Sequence, residues 1–250
     1  MSSANLNQHE TAHRAAHVEV HSYQVDVDVR GAVVPSKALF PVVSAIELTA
    51  QEPETWLDFI GEVDRVLVDG AEIPVVYDGA RIALSGLPVG ERCEVRVEAR
   101  GRYSRTGEGL HRFTDPVDGE TYLYTQYEPS DARRVFPNME QPDIRAPFTF
   151  SLTGPDGWWF GSNQPEALRE QVADGVVRVE FEPTLTLSTY ITCLCAGPYH
   201  RVTDLWVREV GEPGGPSSDH AARSSQAVRS GTREVGEPGG PSSDHAARSS

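Results

Sequence analysis

A mainly β fold is what this sequence predicts, and three observations carry the reading. Apolar and polar residues alternate with a period of two in several short runs, Asp-Gly dipeptides separate those runs, and only one stretch near the start has helical character. At 250 residues, the chain is long enough to bury the core of one large domain or two small ones.

The elements follow in chain order. Residues 1–17 read as a helical segment, because His9 to Ala16 are good helix formers and Asn7 stands where an N-cap belongs. Tyr23, Val25, Val27 and Val29 then alternate with Gln24, Asp26 and Asp28, the pattern of a half-buried strand. Cys93, Val95, Val97 and Ala99 repeat it against Glu94, Arg96 and Glu98. Further strands are expected at Phe40–Leu48, Arg65–Val68, Val75–Tyr77, Thr121–Tyr127, Phe148–Leu152, Val176–Phe181 and Leu185–Leu194. Turns are expected at Asp69-Gly70, Asp78-Gly79, Asp118-Gly119, Asp156-Gly157 and Asp174-Gly175. Short strands so punctuated predict a multi-sheet β body over residues 18–207. Composition changes after Val207. Residues 208–250 contain no aromatic residue, 20 of the 43 are Gly, Pro or Ser, and REVGEPGGPSSDHAARSS occurs twice, at Arg208–Ser225 and Arg233–Ser250. A segment with so little apolar surface cannot offset its ordering entropy, so a disordered tail is expected there.

Composition also limits function. Twenty-two basic against 37 acidic residues give a net charge of −15, which repels phosphate backbones and argues against nucleic acid or an anionic membrane as partner. No run of apolar residues approaches the ~18 of a membrane-spanning helix, and the first residues lack the apolar core of a secretory signal, so a cytoplasmic location is expected. Cys93, Cys193 and Cys195 are odd in number and lack zinc-knuckle spacing, which suits reduced structural thiols.

The stretch from Tyr103 to Phe150, YSRTGEGLHRFTDPVDGETYLYTQYEPSDARRVFPNMEQPDIRAPFTF, carries the most specific signal. It resembles the N-terminal domain of the aminopeptidase N family, the gluzincin zinc aminopeptidases, especially those of actinobacteria. SYQVDVDV, TWLDF, YDGARIAL and TLSTYITCLCAGPYHRV extend the resemblance over roughly residues 6 to 203. It implies a saddle-shaped β domain followed, in the family, by a zinc-bearing catalytic domain. The family's substrate loop, HExxH helix and downstream glutamate do not follow His200 here, so a truncated, catalytically silent piece lacking its catalytic-domain partner is expected.

His9-Glu10-Thr11-Ala12-His13 does match HExxH, the spacing that puts two imidazoles on one helix face with a glutamate base between them. The helix is polar, however, and the position nineteen after His13, where the family's glutamate ligand would stand, is Ala32. A solvated face is the better reading, and His17 and His21 extend the ladder toward at most a surface chelate. No catalytic or metal-binding residue is therefore assigned and no cofactor is expected in this chain, although the resembled family carries zinc.

Gln126 and Glu128 are the candidate substrate-binding residues. Two apart on a strand, they present an amide and a carboxylate to one side, and Pro129 ends the strand. The resemblance implies that Glu128 binds the free amine of a peptide N-terminus and that Gln126 lines the first side-chain pocket. Arg133 and Arg134 are expected to pair with carboxylates of the domain. Trp158, Trp159, Tyr190 and Tyr199 are expected to pack, and His111 and His200 to be structural. Three readings remain: a silent substrate-anchoring domain, a working metalloaminopeptidase with an improvised metal site, or a peptide- or protein-binding module.

Overall fold

The computed structural model describes residues 6–204. The expected tail, residues 208–250, lies outside them, as does the end of the expected body at residues 205–207. A compact unit ends at Tyr199, and residues 200–204 have no regular secondary structure.

One helix, α1 (Gln8–His17), precedes fifteen strands: β1 (Val18–Asp28), β2 (Leu39–Ala50), β3 (Glu54–Asp58), β4 (Glu62–Val68), β5 (Ala71–Ile73), β6 (Val76–Tyr77), β7 (Arg81–Ser85), β8 (Arg92–Arg102), β9 (Gly109–Thr114), β10 (Thr121–Gln126), β11 (Phe148–Pro155), β12 (Trp159–Ser162), β13 (Glu166–Ala173), β14 (Val176–Phe181) and β15 (Leu194–Gly197). The mainly β expectation holds. Eight strands form one sheet in the order β13-β14-β11-β1-β2-β8-β4-β5, four form β12-β15-β10-β9, and three form β3-β7-β6. Among the strands of the described residues, β1 and β11 alone form a parallel ladder, Tyr23 opposite Phe148 and Asp28 opposite Thr153. The alternation read in β1 buries Tyr23, Val25 and Val27. Asp69 and Gly70 both have positive φ and join β4 to β5 in two residues, the geometry of a tight hairpin that only such residues accept cheaply.

The core is aromatic at its centre. Tyr23 stacks on Phe148 at 4.5 Å, Phe148 on Phe150 at 5.7 Å, and Phe136 meets both phenylalanines edge-on, at 6.2 and 5.8 Å. Phe136 lies in the buried stretch Val135–Gln141, some of whose backbone groups bond to side chains from elsewhere. Ser44 donates to the Pro137 carbonyl at 2.8 Å, and the Met139 N–H donates to the Tyr23 hydroxyl at 3.1 Å. Burial pushes the Tyr23 phenol up.

One expected strand does not form. Over 185–193 the chain is irregular, with a 3-10 turn at Thr189–Ile191, and only Ala146 opposite Leu187 makes a bridge before β15 begins at Leu194. The hydroxyls there take over the bonding: Ser188 donates to the Pro142 carbonyl at 2.6 Å, Thr189 to Glu140 at 2.6 Å and Thr192 to the Thr189 carbonyl at 2.7 Å. Side-chain bonds of this kind compete with a ladder.

Candidate functional site

Helix α1 starts as expected. The Asn7 side chain accepts from the His9 and Glu10 N–H groups at 3.0 Å, and the Glu10 carboxylate accepts from the Asn7 N–H at 3.0 Å, a reciprocal capping box. Glu10 also receives both terminal nitrogens of Arg81, at 2.7 and 3.0 Å. That hydrogen-bonded partner, and then the Asn7 amide, hold its carboxyl down at about 2. The helix is held down by a charge instead of an apolar stripe. Arg14 is 1% exposed and pairs with Asp58 at 2.7 Å, its Nε donates to Gln141 at 3.1 Å, and its guanidinium lies over the Trp56 ring at 4.8 Å. Asp58 also accepts from the Glu140 N–H at 3.0 Å, while its backbone exchanges two hydrogen bonds with Asn138. This buried junction of α1, β3 and the 135–141 stretch was not foreseen. The only signals were an arginine inside a polar helix and an aspartate ending TWLD, neither of which announces a partner.

Glu140 extends the junction. It is 7% exposed and accepts from the Arg133 N–H and the Thr189 hydroxyl, both at 2.6 Å. Desolvation nonetheless pushes its carboxyl up from 4.5 to about 7, outweighing both hydrogen bonds. Between those two values the folded protein holds a proton that the unfolded chain has released, so stability falls as pH rises from about 4.5 to about 7 and then levels. The loss is on the order of 3 kcal/mol. Glu140→Gln should flatten that part of the melting-temperature profile. Parallel profiles for the two proteins across this window would contradict it.

The expected substrate residues sit at the end of the β9–β10 hairpin. β10 pairs with β9 from Thr121–Thr114 to Gln126–Gly109. The strand stops at Gln126, one residue earlier than expected, so Glu128 lies beyond its end, in a turn in which the Asp131 N–H bonds the Tyr127 carbonyl at 2.7 Å. Pro129, whose missing N–H cannot extend a ladder, follows directly. The alternation still carries through the turn. Leu123 and Tyr127 are buried, and Tyr124, Gln126 and Glu128 are exposed. Neither the Gln126 nor the Glu128 side chain has a hydrogen-bond or ion-pair partner among the described residues. The structure thus leaves amide and carboxylate free on the open side of one hairpin.

That side is aromatic. Tyr124 stands opposite His111, with ring centres 4.9 Å apart, and Tyr122 stands opposite Phe113. The Tyr199 ring meets Tyr122 at 5.1 Å and Trp159 at 5.9 Å. A Cβ on Gly161 would come within 2.3 Å of the Trp159 ring, so only glycine lets that ring fold over β12. Trp158 is buried, as a packing role requires, and Tyr190 packs against the core, whereas Trp159 and Tyr199 line this half-open face. Tyr199 also donates to the Leu123 carbonyl at 3.0 Å, and His111 receives the Gly107 N–H at 3.1 Å. Arg134 pairs with Asp131 at 2.6 Å, as expected of the domain's own carboxylates. The three cysteines are free thiols, and burial pushes Cys195 up to about 11, away from thiolate chemistry. No helix among the described residues is long and apolar enough to cross a membrane.

Residues 70–191 match the family model described as the peptidase M1 N-terminal domain. The chain is 40% identical over 214 residues to the aminopeptidase N of Streptomyces lividans, an alignment covering 84% of this chain and 24% of that protein. The resemblance thus lies in the N-terminal domain of the peptidase M1 family. The chain spans about a quarter of its streptomycete relative. It is also 34% identical over 96 residues to human glutamyl aminopeptidase, 38% of this chain and 10% of that one. In fold it resembles the crystal structure of an M1 zinc metallopeptidase from Deinococcus radiodurans, with a TM-score of 0.65 and 20% identity over 77% of this chain and 45% of that one.

The HETAH residues of this chain do not suit a catalytic zinc. Glu10 is spent on Asn7 and Arg81, and a carboxylate held at about 2 is too weak a base to take a proton from water. His9 is exposed, and the group that gathers around His13 consists of His17 and Glu52, without His9.

Proposed function

We propose that this domain anchors the free amino terminus of a peptide through Glu128, with Gln126 beside it, and works against a separate zinc-bearing catalytic domain, being catalytically silent alone. The observation that carries the reading is the unpaired carboxylate of Glu128 beyond the end of β10, in a chain that resembles the M1 N-terminal domain. A carboxylate without an internal partner is available for a charge-assisted bond to an ammonium group. The aromatic face of β9 and β10, with Phe113 46% and Tyr124 41% exposed, offers apolar surface for a partner domain to cover. The anchor is weak alone. An exposed carboxylate–ammonium pair contributes about 0–1 kcal/mol, whereas a millimolar complex needs about 4 kcal/mol. Neither residue lines the groove of about 400 Å³ beside Tyr77, Tyr103 and Arg134, which suits a second wall supplied from elsewhere.

Two experiments test this. Purified protein assayed with alanyl and leucyl chromogenic amides should show negligible turnover with or without zinc, as should a His9→Ala, His13→Ala double variant. Zinc-dependent turnover that vanishes in the double variant refutes silence. For the anchor, an isotope-labelled chain should show shifts at Gln126 and Glu128 with a free-amine peptide, none with its acetylated form, and none in Glu128→Gln. Equal shifts with both peptides refute anchoring.

A further inference from the structure

We propose that His13, His17 and Glu52 form a binding site for a single divalent cation of the zinc class, fastening α1 to the β2–β3 connection. The site shares only His13 with HETAH, taking neither His9 nor Glu10, and it is independent of the anchoring reading. His13 and His17 are one turn apart on the same face of α1, and their rings lie 4.2 Å apart, 20° from parallel. Glu52 comes from the three residues between β2 and β3. The backbone fixes that approach: the Gln51 N–H donates to the His17 carbonyl at 2.8 Å, and Val18 pairs with Ala50 at the start of β1. Glu52 Oε1 lies 3.3 Å from His13 Nε2 and 3.7 Å from His17 Nε2, and one ligand atom from each residue falls within 4.8 Å of the others. Ligands bound tetrahedrally at about 2.0–2.1 Å stand about 3.3 Å from one another, so small side-chain movements close the site around an ion.

The hydrogen bond behind His17 points the same way. His17 Nδ1 lies 2.7 Å from the His13 carbonyl oxygen, which can only accept, so Nδ1 carries the hydrogen. In the neutral ring this turns the lone pair of Nε2 toward the Glu52 oxygen. Two acceptors facing each other repel, and a cation between them turns the repulsion into coordination. Fixing the tautomer through the far ring nitrogen is how metal-binding histidines are commonly held. The helix C-terminus, where His17 stands, also favours positive charge. Two imidazoles and one carboxylate suit zinc and its neighbours better than calcium or magnesium. A pocket of about 280 Å³ bordered by these residues and Trp56 leaves room for water in the remaining positions. The residue after His13, where a hydrolytic helix would carry its base, is Arg14, which turns inward to Asp58. The site therefore binds and fastens without hydrolysing.

Titration of the full chain with zinc chloride alone, by calorimetry, tests the site, and cobalt absorption reports its geometry. One ion should bind, with affinity falling tenfold or more in His17→Ala and in Glu52→Gln, since loss of even an outer-shell partner weakens sites by about 10–100-fold. His9→Ala and His21→Ala should bind as the parent does. Zinc should raise the melting temperature of the parent and leave that of His17→Ala unchanged. His13, His17 and Glu52 have side chains 53%, 35% and 43% exposed, so these variants should fold. Absence of binding, or binding of unchanged affinity in His17→Ala, overturns the proposal. Peptide turnover plays no part in this test, so its outcome is separate from that of the anchoring experiments.

Discussion

Asp58→Ala should destabilise the domain by about 3–5 kcal/mol, the cost of leaving a buried charge without its partner. Arg14 is 1% exposed and its guanidinium has Asp58 at 2.7 Å, Gln141 at 3.1 Å and the Trp56 ring at 4.8 Å. Removing the carboxylate leaves Gln141 and the ring, neither of which neutralises the charge. The Glu140 N–H loses its acceptor at the same time. For a domain of this size the loss corresponds to a fall in melting temperature of roughly 6–20 °C. The control is Asp64→Ala. Asp64 also pairs with an arginine at 2.7 Å, Arg100, but both side chains are more than 40% exposed, and such pairs contribute about 0–1 kcal/mol. Thermal denaturation of the two variants side by side decides the matter: equal, small shifts would mean that the Arg14–Asp58 pair does not hold α1 to the body.

That junction also marks where the sequence stops being legible. Strands with strict alternation, such as β1 and β8, could be read directly, because one face of each is buried against the core and the pattern records it. The strand β13 could not. Its sequence, EALREQVA, consists largely of good helix formers, all eight residues are exposed, and it exists because β14 offers an edge to pair with. The short strands β5 and β12 are likewise set by neighbours and turns, not by any period of their own. Around the candidate site, the order of Gln126, Tyr127 and Glu128 was readable as out, in, out, because residues two apart share a side. The aromatic face beside them was not, since it joins Tyr122 and Tyr124 to Trp159 and Tyr199 from strands distant in sequence. The HETAH spacing illustrates the opposite error. A motif fixes where side chains leave a helix, and the structure decides what meets them: Arg81 meets Glu10, while His13 is joined by His17 and Glu52.

The second large effect should come from Phe136→Ala, with a loss of about 3–5 kcal/mol. Phe136 is fully buried and its ring touches three others, Tyr127, Phe148 and Phe150, at 6.2, 6.2 and 5.8 Å. Alanine would remove those edge-to-face contacts and leave a cavity that the flanking strands cannot close. Strand β11, carrying Phe148 and Phe150, is fixed on one side by β1 and on the other by β14. The consequence should reach the candidate site, because Tyr127 is the inward-facing residue between Gln126 and Glu128. With its aromatic neighbour gone, Tyr127 loses the support that holds both polar side chains outward. Amide hydrogen exchange over residues 126–131 should therefore quicken more than exchange at the far end of the same hairpin, near Thr114 and Thr121. The comparison is Phe113→Ala, which truncates a ring 46% exposed on the open face and should cost far less, about 1 kcal/mol or below. A stability loss for Phe136→Ala no larger than for Phe113→Ala would show that the aromatic cluster does not organise this end of the domain. Exchange that quickened uniformly along the hairpin would separate the cluster from the placement of Glu128.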